Sequence, residues 1–207
     1  MKRFAFTMLE LVFVIIVLGI LAVLAIPNFN RHPLQEAAEQ VAGHIRYTQH
    51  LAMVDDKFDP ADILWFREYW QLEFKRVGNP LSIYYEIYSD IDHLGNSDST
   101  THKEVASDPL TANSLDGNSN ITELTRYGIK AVSFSTSCHA STSVAIGELS
   151  FDTLGRPYYY INSSKPLAAN IYQYLIQTIC TISLEHQTDG NATITVSPET
   201  GYVSVTY

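Results

Sequence analysis

The sequence has few cysteines, no cluster of basic residues and none of the short motifs that mark catalysis. Its two cysteines, Cys138 and Cys180, cannot build a four-thiolate metal site and are too few for a disulfide-framework miniprotein. They allow one bridge where the compartment is oxidising. Lys and Arg number 13 against 22 Asp and Glu, a formal net charge of −9, and no basic run exists beyond Lys2 and Arg3. Neutralising phosphates takes clustered cations, so direct nucleic-acid binding is not expected. Among the 7 histidines no metal spacing occurs; His44 and His50 do not share a helical face as i, i+4 partners would. There is no G-x-S-x-G elbow, H-E-x-x-H, P-loop or dinucleotide fingerprint, and no enzyme activity is expected.

What is present is a mixed chain of 207 residues, 46% apolar and 17% charged, which has room for one packed domain and an appendage. The apolar residues concentrate between Phe6 and Ile26, where Glu10 is the one charge. As a helix this stretch would reach roughly 31 Å, about the hydrocarbon thickness of a bilayer. Lys2 and Arg3 precede it and the next cation is Arg31. The positive-inside rule therefore predicts a single span with a cytoplasmic N-terminus and the rest of the chain outside. An ordinary signal peptide, cut after Val23-Leu24-Ala25, is the rival account. The short leader and Glu10 weigh against it, because a carboxylate there costs about 2.5–3.5 kcal/mol on insertion scales and needs a partner.

The run Ala5-Phe6-Thr7-Met8-Leu9-Glu10-Leu11-Val12, followed by the apolar segment and Pro27, resembles the N-terminal signature of type IV pilins and type II secretion pseudopilins. The resemblance implies cleavage by a prepilin peptidase between Ala5 and Phe6, N-methylation of Phe6, and retention of the helix. Ala5 stands where the family usually has Gly. Glu10 would pair with the N-terminal amine of a neighbouring subunit, and Pro27 would break the helix. The text LQEAAEQVAGHIRYTQHLAM and the stretch Leu149 to Pro157 further resemble the H-type, FimT-like minor pseudopilins.

From Leu34 the spacing of Leu34, Ala38, Val41, Ile45, Thr48 and Ala52 predicts an amphipathic helix. Beyond Asp59-Pro60 the period changes to two. Trp70, Leu72 and Phe74 alternate with Gln71, Glu73 and Lys75, and Ile83, Tyr85 and Ile87 alternate with Tyr84, Glu86 and Tyr88, with a turn at Asn79-Pro80. Further strands are predicted at 130–135, 148–152, 158–161, 178–186, 192–197 and 202–207, the last three as a meander. The fold class expected is α+β, a long N-terminal helix packed on an antiparallel sheet body in the pilin manner. The divisions are 1–5 leader, 6–27 transmembrane and assembly helix, 28–53 amphipathic helix, and 54–207 periplasmic β-rich body, with a long polar loop at about 94–124.

Around the start of that loop Asp90, Asp92 and Asp98, with Gly95 and Asn96, invite a calcium reading. The EF-hand match is partial, since Leu94 and Thr101 fall where ligands belong, so no cofactor is expected and a solvated turn is the plainer account. Cys138 and Cys180 are the candidate disulfide; it would close a loop of about 43 residues, worth roughly 4 kcal/mol in the chain-entropy model. The resemblance implies a minor pseudopilin of the bacterial inner membrane supporting protein secretion. Its partners would be other pilin or pseudopilin subunits, the prepilin peptidase and the inner-membrane assembly platform. The alternatives are a competence pseudopilin or minor pilin for DNA uptake or adhesion, and a secreted or anchored β-rich binding domain.

Overall fold

The computed structural model describes residues 7–25, 32–78, 81–95, 97, 104–117, 119–138, 145–159 and 171–207. The chain divides into two units, Met1–His32 and Pro33–Tyr207. In the first, helix α1 runs Met8–Ala25. Thr7 caps it: its Oγ1 accepts the Glu10 N–H at 3.2 Å, the half of a capping box that the spacing Thr7-x-x-Glu10 encodes.

The second unit begins with α2, Pro33–Val54. Pro33 occupies the first helical position, where its missing N–H is not needed. Leu34, Ala37, Ala38, Val41, Ala42, Ile45, Thr48 and Ala52 form its buried face. Two four-stranded antiparallel sheets follow, in the orders β2-β1-β4-β5 and β3-β6-β7-β8. The first joins β1 (Trp70–Val77), β2 (Ser82–Tyr88), β4 (Ala145–Phe151) and β5 (Pro157–Tyr158). The second joins β3 (Ile129–Phe134), β6 (Cys180–His186), β7 (Asn191–Val196) and β8 (Val203–Thr206).

Helix α2 touches strands of both sheets, and one core gathers its buried face with Leu72, Phe74, Tyr85, Leu149, Ile182 and Ile194. A polar knot sits inside this packing. Gln40 donates to the Tyr85 hydroxyl at 3.1 Å and to the Ile121 carbonyl, and it accepts from the Tyr127 hydroxyl at 2.7 Å. His44 Nδ1 lies 2.6 Å from the same Tyr85 oxygen. Burial lowers the His44 pKa, against an opposing pull from Asp108, which keeps the ring neutral in this apolar setting.

Three expectations are corrected. The single long N-terminal helix is replaced by two short ones in separate units, and the single sheet by two, giving a mostly β body rather than the expected pilin-like α+β plan. The physical reason at the second helix is Pro33, which has no N–H to continue a preceding turn. Next, no helix among the described residues is long and apolar enough to cross a membrane. The expected single-pass placement in the inner membrane is therefore not supported. Last, the polar loop is only partly solvated where it is described. Its backbone lines the free edge of β2 through bridges Tyr88↔Val105 and Tyr84↔Glu123. The Ala106 N–H donates to the Ile87 carbonyl at 2.8 Å, and the Ile87 N–H donates to the Leu115 carbonyl at 3.0 Å. Ala106, Leu115, Thr122 and Leu124 are buried there. Pairing satisfies an edge that water would otherwise have to cover.

The turn between β7 and β8 depends on Gly201. Its φ is +63°, and an added Cβ would lie 2.6 Å from the Gly155 carbonyl oxygen and against the Gln49 amide. Gln49 Nε2 donates to the Gly155 and Thr200 carbonyls at 2.8 and 2.9 Å, so the clash falls on a tied-down group. Gly201→Ala is expected to cost about 2 kcal/mol, the left-handed conformation alone accounting for about 1–2. Urea titration of the purified chain reads this directly, and an unchanged midpoint would contradict it.

Candidate functional site

Three arrangements of the described residues carry chemistry beyond packing. The first is α1. Every side chain from Met8 to Leu21 is exposed, among them Phe13 at 66%, Ile15 at 59%, Ile16 at 55% and Leu18 at 59%. Within the described side chains of this helix Glu10 is the one charge, and it sits in the first turn, where the helix dipole favours an anion. Ala5, Phe6 and Pro27, the other residues of the expected processing and assembly signature, lie outside the described residues.

The second is a layer of carboxylates on the face of the first sheet turned away from α2. Glu73 of β1 stands opposite Glu86 of β2 and Glu148 of β4. These three are 5%, 7% and 4% exposed, with Gln71 at 1%. Lys75 Nζ lies 2.7 Å from Glu86 Oε2 and 3.1 Å from Glu73 Oε2. The Tyr88 hydroxyl donates to Glu73 Oε2 at 3.0 Å, and Ser150 donates to Glu148 at 3.1 Å. Burial pushes the Glu73 carboxyl above its usual range, outweighing the pull of Lys75. Burial also works against the Lys75 ammonium, but the two carboxylates win and its pKa is raised. The alternation of β1 reads Gln71, Glu73 and Lys75 as solvent-facing, and the structure buries the first two and half-buries Lys75. The usable signal was Glu against Glu across neighbouring strands with a single Lys nearby, an arrangement that is unfavourable unless the residues share a counter-charge.

The third is an acidic corner just past β2. Asp90, Asp92 and Glu104 each offer a carboxylate oxygen within 4.8 Å of the other two, and Asp90 and Glu104 are fully buried. Burial, with Glu104 and Asp92 as like-charged neighbours, pushes the Asp90 carboxyl up to about 6 against a bond from the Gly95 N–H. Of the calcium candidates Asp90, Asp92 and Asp98, the first two meet here and Asp98 lies outside the described residues. Glu104 was missed because no loop template places a ligand at that spacing. Beside this corner a second group gathers Asp62, Glu68 and His93, with His93 Nε2 at 3.5 Å from Asp62 Oδ2 and 3.3 Å from Glu68 Oε1.

The remaining expected features take structural places. Cys138 and Cys180 are joined by a disulfide. Tyr85, Tyr88 and Tyr158 are fully buried, while Tyr160 and Asn79-Pro80 lie outside the described residues. An aromatic cleft of about 390 Å³ is lined by Phe58, Trp65, Tyr69, Leu154 and Tyr172, with Arg156 at its wall. Arg156 Nε donates to Asp152 Oδ2 at 2.6 Å, so its charge is already engaged. Set against known proteins, the chain matches no family model, no curated protein and no solved structure.

Proposed function

We propose that the chain is a structural filament subunit of the type IV pilin and pseudopilin kind, serving protein secretion as a minor component. The observation that carries this reading is the contrast between the two units. The body closes its own core around α2, whereas α1 presents apolar side chains around its whole circumference from Met8 to Leu21. An apolar helix of that kind requires a covering. Like helices of neighbouring subunits supply one, and burying Phe13, Ile15, Ile16 and Leu18 among them yields about 1.5–3 kcal/mol for each side chain fully buried.

In such a bundle a lone carboxylate is costly unless matched. The N-terminal signature implies the match: removal of the leader before Phe6 frees an amine on each neighbour, and Glu10 pairs with it and sets the axial register. The support lies in the N-terminal segment alone; the β body contributes acidity, which disfavours DNA gripping by this subunit. The mature protein is therefore expected to begin at an N-methylated Phe6, and mass spectrometry of the purified chain decides this. Glu10→Ala leaves the apolar surface intact and is expected to reduce co-assembly about tenfold, equivalent to about 1.4 kcal/mol of pairing. Cysteine crosslinking between α1 helices provides the readout. Unchanged crosslinking, or a mature chain that starts beyond α1, would sink the proposal.

A further inference from the structure

We propose that Asp90, Asp92 and Glu104 form a binding site for a hard divalent cation, with calcium preferred over magnesium. This inference is independent of the filament reading, since it concerns the body alone. Asp90 and Asp92 follow the end of β2, and Glu104 precedes Val105, which bridges back to Tyr88. The Ser89 N–H donates to the Glu104 carbonyl at 3.1 Å, which sets the two chain segments side by side.

Each of the three carboxylates is oriented by a backbone donor. The Gly95 N–H donates to Asp90 Oδ2 at 3.0 Å, the Leu94 N–H to Asp92 Oδ1 at 3.0 Å, and the Asp92 N–H to Glu104 Oε1 at 3.1 Å. Those bonds fix where the acids point. The decisive atom is the other oxygen of Asp90. Asp90 is 0% exposed, and its Oδ1 is buried without a hydrogen-bond partner. A buried acceptor left unpaired costs about 1–3 kcal/mol, and more when it is charged. Folded proteins keep such an atom where something else satisfies it.

The chemistry of the set selects the ion. All three donors are carboxylate oxygens, which suits a hard cation. The His93 imidazole is turned to Asp62 and Glu68, and among the described residues no nitrogen joins the set. The three oxygens lie within 4.8 Å of one another, close enough to share one ion, and the flexible coordination of calcium suits ligands from two separate chain segments better than the near-ideal octahedron that magnesium demands. Three protein ligands leave the remaining positions to water, which points to a dissociation constant on the order of 10⁻⁵–10⁻⁴ M.

The test is calorimetric titration of the full chain, stripped with a chelator, using calcium chloride and separately magnesium chloride. One calcium per chain is expected, with magnesium at least tenfold weaker. Asp90→Asn and Glu104→Gln are each expected to weaken calcium binding at least tenfold, while Asp62→Asn, in the adjoining group, leaves it unchanged. Circular dichroism checks that the variants fold, and the parent titration decides the matter if they do not. No calcium uptake by the parent at millimolar concentration overturns the site. Undiminished binding by both folded variants overturns the residues named, and equal affinity for magnesium overturns the preference.

Discussion

Replacing Lys75 with Met is expected to destabilise the body by about 3–5 kcal/mol at neutral pH, the usual cost of removing one partner from a buried ion pair. The Lys75 side chain is 15% exposed and holds Glu73 and Glu86, whose side chains alone are 7% and 9% exposed. Its removal strands two carboxylates in a layer that also contains Glu148. The deficit depends on pH with a definite sign. Burial already holds the Glu73 pKa above its usual range despite Lys75, and without the ammonium it rises further. A carboxyl whose folded pKa lies above its unfolded value disfavours folding increasingly as pH rises between the two. The penalty is therefore small near the ordinary carboxylate range and complete above the raised value. Lys75 itself, with its pKa raised, stabilises the parent fully at pH 7 and stops doing so only as alkali removes its proton. Urea unfolding at several pH values checks both statements. Lys130→Met provides the contrast: its partner Glu185 is at 2.8 Å, but both side chains are 46% exposed, where such pairs contribute about 0–1 kcal/mol. Equal losses in the two variants would refute the role given to burial.

Breaking the bridge between Cys138 and Cys180 has an expected cost of similar size. Cys138 ends a short turn after β3 and Cys180 opens β6, the strand that pairs with β3. The segment between them, at a sequence separation of 42, leaves the second sheet, contributes β4 and β5 to the first, and returns. Tying the two ends of that excursion removes unfolded-state freedom worth about 4 kcal/mol in the chain-entropy account. Both cysteines are 0% exposed, so the double variant Cys138→Ala/Cys180→Ala is a cleaner probe than serine, which would bury two hydroxyls. Its unfolding free energy is expected to fall by about 4 kcal/mol relative to the oxidised parent. A midpoint that does not move would show that the excursion is held by its strand pairing alone.

The strands of the body could be read from their period of two, and the buried face of α2 from its period of 3.6, because both rhythms record which side chains meet the core. What the rhythm lacks is the identity of the second neighbour. Gln71, Glu73 and Glu86 alternate as solvent-facing residues do, yet Phe66 and Tyr69 pack with Tyr158 on that same side of the sheet, and a layer contributed from elsewhere in the chain leaves no local trace. The same holds for the number of sheets. Strand β4 pairs with β1, and β3 with β6, although β3 and β4 are consecutive. At Gly147 an added Cβ would lie 2.5 Å from the ring of Phe134, which belongs to the other sheet. The composition of 94–124 predicts a loop and carries no sign of what that loop packs against. Backbone bonds to the edge of β2 need no apolar side chains to announce them. The acidic corner was half visible for a related reason: a linear template reaches from Asp90 to Asp92, but only the return of the chain brings Glu104 alongside.

Helix α2 touches β1 and β4 of one sheet and β6, β7 and β8 of the other, and Arg46 and Gln49 extend bonds from it to the Val203, Gly155 and Thr200 carbonyls. Traction applied at Pro33 would thus be divided between two sheets in parallel, with no seam along which one could peel away first. A domain built in this way resists unravelling under load, which is the mechanical demand that the proposed hauling of a subunit into a growing fibre would make.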